Sequence, residues 1–164
     1  MLMLPLEHAE AIKRHGEQTY PHECCGLLIG RIEDEGRTRV VFELHPVANE
    51  FDATTMAVAF DVEADGATAD ASAERHRRML IPPREYLRAE RRSSSLGLGV
   101  IGNYHSHPNH PAVPSAFDLK YLAPWPTVSC VVISVREGQA DELRSWELVA
   151  DGSSFVEEAV RQGV

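Results

Sequence analysis

Five short apolar runs, separated by turn residues, constrain the fold of this chain more than any other feature of its sequence. The runs are CCGLLIG (24–30), TRVVFELHPV (38–47), LGVIGNYH (98–105), TVSCVVISV (127–135) and ELRSWELVA (142–150). They have the length of strands, and most are enriched in the β-branched residues that pack well on a pleated surface. EDEGR lies between the first two runs and predicts a turn, so we expect these two strands to form a hairpin.

Two other segments show helical patterns. Residues 6–19 place apolar side chains three residues apart among polar neighbours, and a Tyr-Pro step follows them. Residues 84–92, REYLRAERR, follow two prolines, which suit the first turn of a helix because no backbone donor is needed there. The order of helix, strands, helix and strands predicts an α+β domain, with a curved, mostly antiparallel mixed sheet flanked by helices.

The length of the chain is that of one compact domain. With 164 residues there is room for one hydrophobic core, and we predict a single domain over residues 1–164. Residues 61–78, DVEADGATADASAERHRR, are rich in Ala, Asp and Glu and lack large apolar side chains. Because such a segment buries little surface, we predict a mobile insertion or a loose helix there.

Charge and cysteine usage exclude several classes of protein. A formal net charge of −9 argues against nucleic acid as a partner, and the basic run at residues 88–92 is interpreted as a solvated helix face. The apolar run at residues 1–6 is too short to span a membrane and lacks a basic leader. Three cysteines without CxxC spacing make no disulfide framework. We therefore expect reduced thiols, a cytoplasmic location and no membrane partner.

The stretch HSHPNHPAVPSAFD, residues 105–118, carries the candidate chemistry. His105 and His107 lie two apart at the end of a predicted strand, so both imidazoles project to the same side. Three prolines stiffen the chain that returns to Asp118. Two nitrogens and one oxygen leave a fourth position open, as in catalytic zinc sites. Two other readings remain open on spacing alone: a turn that binds no metal, and a capping box in which Ser115 begins a helix.

The same residues carry a resemblance to a known family. His105, His107, Ser115 and Asp118 match the pattern HxH, seven residues, Ser, two residues, Asp, which resembles the signature of the JAMM/MPN metalloprotease family. Upstream, PHECCGLLIG resembles the family's N-terminal block, in which a glutamate, here Glu23, precedes Cys-Gly and an apolar strand. The helix and strand between these blocks extend the resemblance over roughly residues 6–150.

The resemblance implies a cytidine-deaminase-like fold and a catalytic site with named roles. Zinc (Zn2+) is expected to be bound by His105, His107 and Asp118. Glu23 is expected to act as the general base and to pass its proton to the leaving amine, while Ser115 donates a hydrogen bond to the developing oxyanion. No covalent intermediate is implied, so the cysteines are expected to be spectators.

Several details depart from the family pattern or stay open. The segment at residues 61–78 is longer than the family's usual connection. His110 lies off the ligand pattern and is expected to be a solvated loop histidine rather than a fourth ligand. Trp125 is either an aromatic residue at the rim of the site or a packed one, and Asn103 and Tyr104 either support the site or pack within the strand.

The resemblance also implies a substrate class. Members of the family cleave peptide or isopeptide bonds that follow the C-terminal tail of ubiquitin or ubiquitin-like proteins. A lone domain resembles the small prokaryotic members, which process ubiquitin-like sulfur-carrier proteins ending in Gly-Gly and in some cases release an amino acid such as cysteine. The alternatives are a general deubiquitinase-like isopeptidase and a non-catalytic scaffold or binding module. The sequence does not indicate an oligomeric state.

Overall fold

The computed structural model describes residues 1–51, 75–122 and 128–162. Within these residues there are three α-helices and eight strands, and a short 3-10 turn lies at Asp34–Gly36. The helices are α1 (Leu6–Thr19), α2 (Pro83–Ser94) and α3 (Ala116–Leu122). The strands are β1 (Leu2–Met3), β2 (Cys25–Glu33), β3 (Thr38–Val47), β4 (Gly99–Pro108), β5 (Ser129–Arg136), β6 (Gln139–Leu148), β7 (Phe155–Glu158) and β8 (Val160–Arg161). The prediction of an α+β domain is confirmed.

The eight strands form one curved, mixed sheet in the order β7-β6-β5-β4-β2-β3-β1-β8. Strands β2 and β3 pair antiparallel as the predicted hairpin, and β2/β4, β5/β6 and β6/β7 are also antiparallel. The pairs β4/β5, β1/β3 and β1/β8 are parallel. Parallel neighbours need a crossover connection. The connection from β4 to β5 contains α3, which brings this short helix back beside the end of β4.

The central strands are buried on both faces, which explains their nearly continuous apolar sequences. Along β5, Cys130 and Val132 join a cluster that includes residues of α2 and α3. The alternating residues Val131 and Ile133 join a second cluster, which includes Ala9 of α1. Helix α1 therefore covers one face of the sheet, and α2 and α3 cover the other.

The chain termini add strands that the sequence analysis did not predict. The apolar run at residues 1–6 contains β1, and both Leu2 and Leu4 are fully buried. Two-residue strands such as β1 and β8 are too short to show any periodicity, and they are defined by their neighbours in the sheet. Among the residues that the structure describes, no helix has the length and apolar character needed to span a bilayer.

Two predictions fall wholly or largely outside the described residues. Of the predicted insertion at 61–78, only residues 75–78 are described, and residues 75–77 form a turn. Trp125 also lies outside the described part of the chain.

Candidate metal centre

Strand β4 supplies the two histidines of the candidate site, and a local irregularity sets the side to which they point. Leu28 pairs with Gly102 and Ile29 with Val100, so the intervening Ile101 is an extra residue in the ladder. Such a bulge changes which residues share a face. The strand also continues to Pro108, three residues beyond the predicted end. His105 and His107 consequently lie inside a regular strand rather than in a loop.

The loop after β4 is held against the neighbouring hairpin. Asn109 has a φ of 58°, a left-handed conformation that asparagine adopts more readily than most residues. Its Oδ1 accepts the backbone N–H of Glu137 at 2.9 Å. One residue later, the carbonyl oxygen of His110 accepts the hydroxyl of Ser134 at 2.8 Å. These contacts fix the direction in which the chain turns back toward α3.

Ser115 and Asp118 begin α3 through reciprocal hydrogen bonds. The backbone N–H of Asp118 donates to Ser115 Oγ at 3.2 Å, and the backbone N–H of Ser115 donates to Asp118 Oδ2 at 2.5 Å. This is the capping box that the sequence allowed. The Ser115 hydroxyl also donates to Asp118 Oδ2 at 2.7 Å. The cap leaves the carboxylate facing the histidines, so the helix start and a ligand role are compatible in the same two residues.

His105, His107 and Asp118 bring three ligand atoms together. The two Nε2 atoms are 3.0 Å apart, and Asp118 Oδ1 and Oδ2 lie 3.3 Å and 3.4 Å from His105 Nε2 and His107 Nε2, respectively. Zinc bonds of about 2.0–2.1 Å in a tetrahedron imply ligand atoms about 3.3 Å apart. The three residues are buried and can hold a metal ion. The observed separations are those of ligand atoms around one metal ion.

The surroundings of the three residues favour the forms that bind metal. His107 Nδ1 donates to the carbonyl oxygen of Pro111 at 3.0 Å, which leaves Nε2 with its lone pair toward the other two ligands. Although burial alone would raise the pKa of Asp118, its interactions with His105 and then with His107 hold that pKa well below its usual range. The carboxylate therefore stays ionised. On the far side, His105 Nδ1 lies 3.9 Å from the buried Cys130 Sγ.

Glu23 lies between α1 and β2, and 3% of the residue is exposed. Its backbone is fixed on both sides, because its N–H donates to the carbonyl oxygen of Arg75 at 2.8 Å and its carbonyl oxygen accepts Asn49 Nδ2 at 3.1 Å. The pKa of the Glu23 carboxyl is raised well above its usual range, mainly by burial and to a smaller extent by the negative charge of Asp118. Within the described residues, its Oε2 has no hydrogen-bond partner. A buried polar atom without a partner is unusual in a folded protein and suits a functional group.

One cleft connects these groups. It has a volume of about 530 Å³ and is lined by Glu23, Arg77, His107, His110, Pro111, Val113 and Ser115. Glu23 and Ser115, predicted as catalytic residues, thus line the same opening as the candidate ligand His107. His110 is exposed in this cleft and does not belong to the ligand group found among the described residues.

The two residues before the ligands have different surroundings. Tyr104 is buried in the core cluster under α1, and its hydroxyl is 3.0 Å from His15 Nδ1. Asn103 is buried beside a small pocket that Tyr86 of α2 also lines. Tyr104 therefore packs on the face opposite the ligands. Sequence reasoning missed Asn49 and Arg75, which position Glu23, because nothing in a linear pattern marks a backbone contact.

Removing the Ser115 hydroxyl is expected to weaken metal binding. Ser115→Ala loses the hydrogen bond that orients Asp118, and comparable outer contacts are worth about 10-fold or more in metal affinity. It also removes the helix cap, at a cost of about 1 kcal/mol in the free energy of unfolding. Competition with a chelator measures the first effect, and urea unfolding the second. Ser95→Ala, an exposed serine at the end of α2, is the control. An affinity unchanged from wild type would contradict the orienting role.

Comparisons with known proteins agree with this geometry. The family model described as prokaryotic homologs of the JAB domain matches residues 5–149. A search of curated proteins returned no match. The fold is similar to the solution structure of a protein from Desulfitobacterium hafniense, with 28% identity, a TM-score of 0.74, and coverage of 99% of this chain and 93% of that one.

Two further solved structures are similar. The solution structure of a protein from Salinibacter ruber is 32% identical, with a TM-score of 0.67, and covers 98% of this chain and 91% of its own. The crystal structure of a JAB1/MPN domain protein from Archaeoglobus fulgidus is 16% identical, with a TM-score of 0.53, and covers 98% and 97% of the two chains. At that identity the last comparison shows a shared fold alone.

Proposed function

Because the chain belongs to the family of prokaryotic homologs of the JAB domain, we propose that it is a zinc-dependent hydrolase of the JAMM type. Its proposed substrate is a peptide or isopeptide bond that follows the C-terminal tail of a ubiquitin-like or sulfur-carrier protein. The observation that carries this proposal is the convergence of the buried His105, His107 and Asp118, with Glu23 lining the same cleft.

The donor set suits zinc. Two imidazole nitrogens and one carboxylate oxygen are typical of catalytic zinc sites, which keep a position open for substrate or water. A zinc ion held here would supply Lewis acidity, polarising the carbonyl of the scissile bond and making water more acidic. The protein's part is to turn His107 Nε2 toward the metal position, because Nδ1 donates to Pro111, and to keep Asp118 ionised.

Glu23 is the proposed general base and acid. Its Oε2 accepts a proton from the attacking water while the water oxygen forms a bond to the carbonyl carbon. The same proton then moves to the amine nitrogen as the carbon–nitrogen bond breaks. The raised pKa of Glu23 supports this cycle, because a carboxyl that holds its proton more firmly than usual is a better base and can still deliver the proton to an amine.

Ser115 is the proposed donor to the oxyanion that develops at the carbonyl oxygen. Its hydroxyl has one proton, which is donated to Asp118 in the structure. Donation to the oxyanion therefore requires the hydroxyl to rotate during the reaction. When it does, the backbone N–H of Ser115 still donates to Asp118 Oδ2, so the carboxylate keeps one of its two contacts with Ser115.

The cysteines do not offer a competing nucleophile. Cys24, Cys25 and Cys130 are buried and free of disulfides. Burial raises the pKa of all three thiols, and that of Cys24 reaches about 12. Because the thiolate is the reactive form, these residues are inert at neutral pH. This supports direct attack by water rather than a covalent thioester.

Hydrolysis of a carrier conjugate tests the proposal. The substrate is a ubiquitin-like sulfur-carrier protein whose C-terminal Gly-Gly is joined to one amino acid, and the product is followed by mass spectrometry. We expect zinc-loaded protein to release the amino acid. Removing zinc with a chelator should lower the rate of hydrolysis at least about 100-fold, and adding zinc back should restore the rate. Chelated protein that keeps the full rate, or zinc-loaded protein that cleaves no conjugate, would contradict the proposal.

A further inference from the structure

The cleft beside the metal centre contains two side chains that the proposed reaction does not use. Arg77 and His110 both line it, together with Glu23, His107 and Ser115. Both side chains are exposed. Along this cleft, Glu23 is the one carboxylate among the lining residues that the structure describes.

The backbone around Arg77 is anchored next to Glu23. The carbonyl oxygen of Arg75 accepts the N–H of Glu23 at 2.8 Å, and the carbonyl oxygen of Arg78 accepts Asn49 Nδ2 at 3.0 Å. The guanidinium of Arg78 also lies 5.2 Å from the centre of the Phe117 ring in α3. Arg75 and Arg78, which lie before and after Arg77 in the chain, are thus tied to the elements that build the site.

The backbone of His110, on a second chain segment that lines the cleft, is also held by hydrogen bonds. Its backbone N–H donates to the carbonyl oxygen of the ligand His107 at 3.4 Å, and its own carbonyl oxygen accepts Ser134 Oγ at 2.8 Å. The exposed residue lines the cleft. Two nitrogen donors, from chain segments that are distant in sequence, therefore line the space next to the metal ligands.

We propose that Arg77 and His110 form a carboxylate-binding subsite for the leaving group, which favours a leaving amine with a free carboxylate next to the scissile nitrogen over an isopeptide-linked lysine. This inference rests on the proposed hydrolase function. Guanidinium groups bind carboxylates through paired, charge-assisted hydrogen bonds, and an imidazole adds a further donor.

The chemistry of the two leaving groups differs in the position of the nearest carboxylate. In an α-linked terminal amino acid, the free carboxylate is attached to the carbon that bears the scissile nitrogen. It therefore enters the same cleft as the scissile bond. In an isopeptide, the scissile nitrogen is the Nε of a lysine, the whole lysine side chain separates it from the backbone, and the lysine carboxyl is itself part of a peptide bond. The subsite would have no anion to bind.

Matched peptides test the subsite. The probes are one peptide ending in Gly-Gly-Ala with a free carboxylate, the same peptide with a C-terminal carboxamide, and a Gly-Gly peptide linked to the Nε of lysine amide. We expect zinc-loaded wild type to cleave the free-acid peptide with a kcat/KM about 10-fold or more above that for the carboxamide. The difference should lie mainly in KM, because the carboxamide lacks the charged hydrogen bond to the subsite. Arg77→Gln should bring the ratio of acid to carboxamide close to one, and Arg77→Lys should restore part of it.

Arg88→Gln is the matched control, because it removes the same charge from an exposed position on α2, where Arg88 pairs with Glu85. It should keep the wild-type preference.

A binding measurement gives a second readout. Glu23→Gln loaded with zinc should bind the free-acid peptide about 10-fold more tightly than the carboxamide. Adding the Arg77→Gln change to this variant should abolish the difference in affinity. Equal cleavage of acid and carboxamide by wild type would overturn the subsite and leave the hydrolase proposal intact. Failure to cleave any probe or carrier conjugate would overturn both.

Discussion

Glu23→Gln is expected to lower kcat/KM for conjugate hydrolysis by about 1,000-fold, within the range that general acid–base catalysis contributes. Glutamine has nearly the same shape as glutamate and can neither accept nor deliver the proton. The hydrogen bonds of Glu23 with Arg75 and Asn49 use the main-chain N–H and carbonyl oxygen of Glu23, so the substitution should leave them in place. Because Glu23 is outside the ligand group, bound zinc should stay at one per chain. The measurement is hydrolysis and metal content on the same preparation.

Glu7→Gln is the control for this experiment. Glu7 is an exposed acid in the first turn of α1, and its substitution makes the same chemical change away from the cleft. It should hydrolyse the conjugate at the wild-type rate. A Glu23→Gln protein that remains within about threefold of wild type would remove Glu23 from the mechanism, since loss of a general base costs at least about 100-fold.

His107→Ala is expected to abolish tight zinc binding and, with it, conjugate hydrolysis. It leaves one imidazole and one carboxylate, which is fewer than the three protein ligands of catalytic zinc sites. Zinc binding also stabilises the folded chain by mass action. Adding zinc should therefore raise the Tm of metal-free wild type by several degrees and leave the Tm of the variant unchanged. Metal analysis and thermal unfolding measure the two effects.

His110→Ala is the matched histidine control. His110 lies three residues beyond His107 and in the same cleft, but it is not a member of the ligand group. The variant should keep one zinc per chain and the zinc-dependent rise in Tm. A loss of zinc as complete as that of His107→Ala would make His110 a fourth ligand and would contradict the site described above.

Much of the fold was predictable because its central strands are strongly patterned. The run TRVVFELHPV is strand β3 from its first residue to its last, and the helix at residues 6–19 has the bounds predicted for it. In both cases, local pattern and tertiary packing favour the same structure. Strands β1 and β8 were not predictable, since two residues pair with neighbours without any pattern of their own.

The candidate site was predictable in composition and less so in geometry. The spacing of His105, His107, Ser115 and Asp118 left open a metal site, a turn that binds no metal and a capping box. The structure contains the capping box together with a converging group that could hold a metal ion. The bulge at Ile101 could not be predicted, because an extra residue in a ladder is visible only in the pairing of two strands. The placement of Arg77 beside Glu23 likewise depends on a backbone contact between residues 23 and 75.

Titration of metal-free protein with zinc tests the central claim most directly, with the rate of conjugate hydrolysis recorded at each addition. If His105, His107 and Asp118 hold one catalytic zinc ion, the rate rises in proportion to added zinc and stops rising at one equivalent per chain. Glu23→Gln should bind the same single equivalent and remain at the background rate. A wild-type rate that does not change as zinc is added would contradict the proposal that this protein is a zinc hydrolase. So would a rate that rises and levels off while no zinc is bound to the protein.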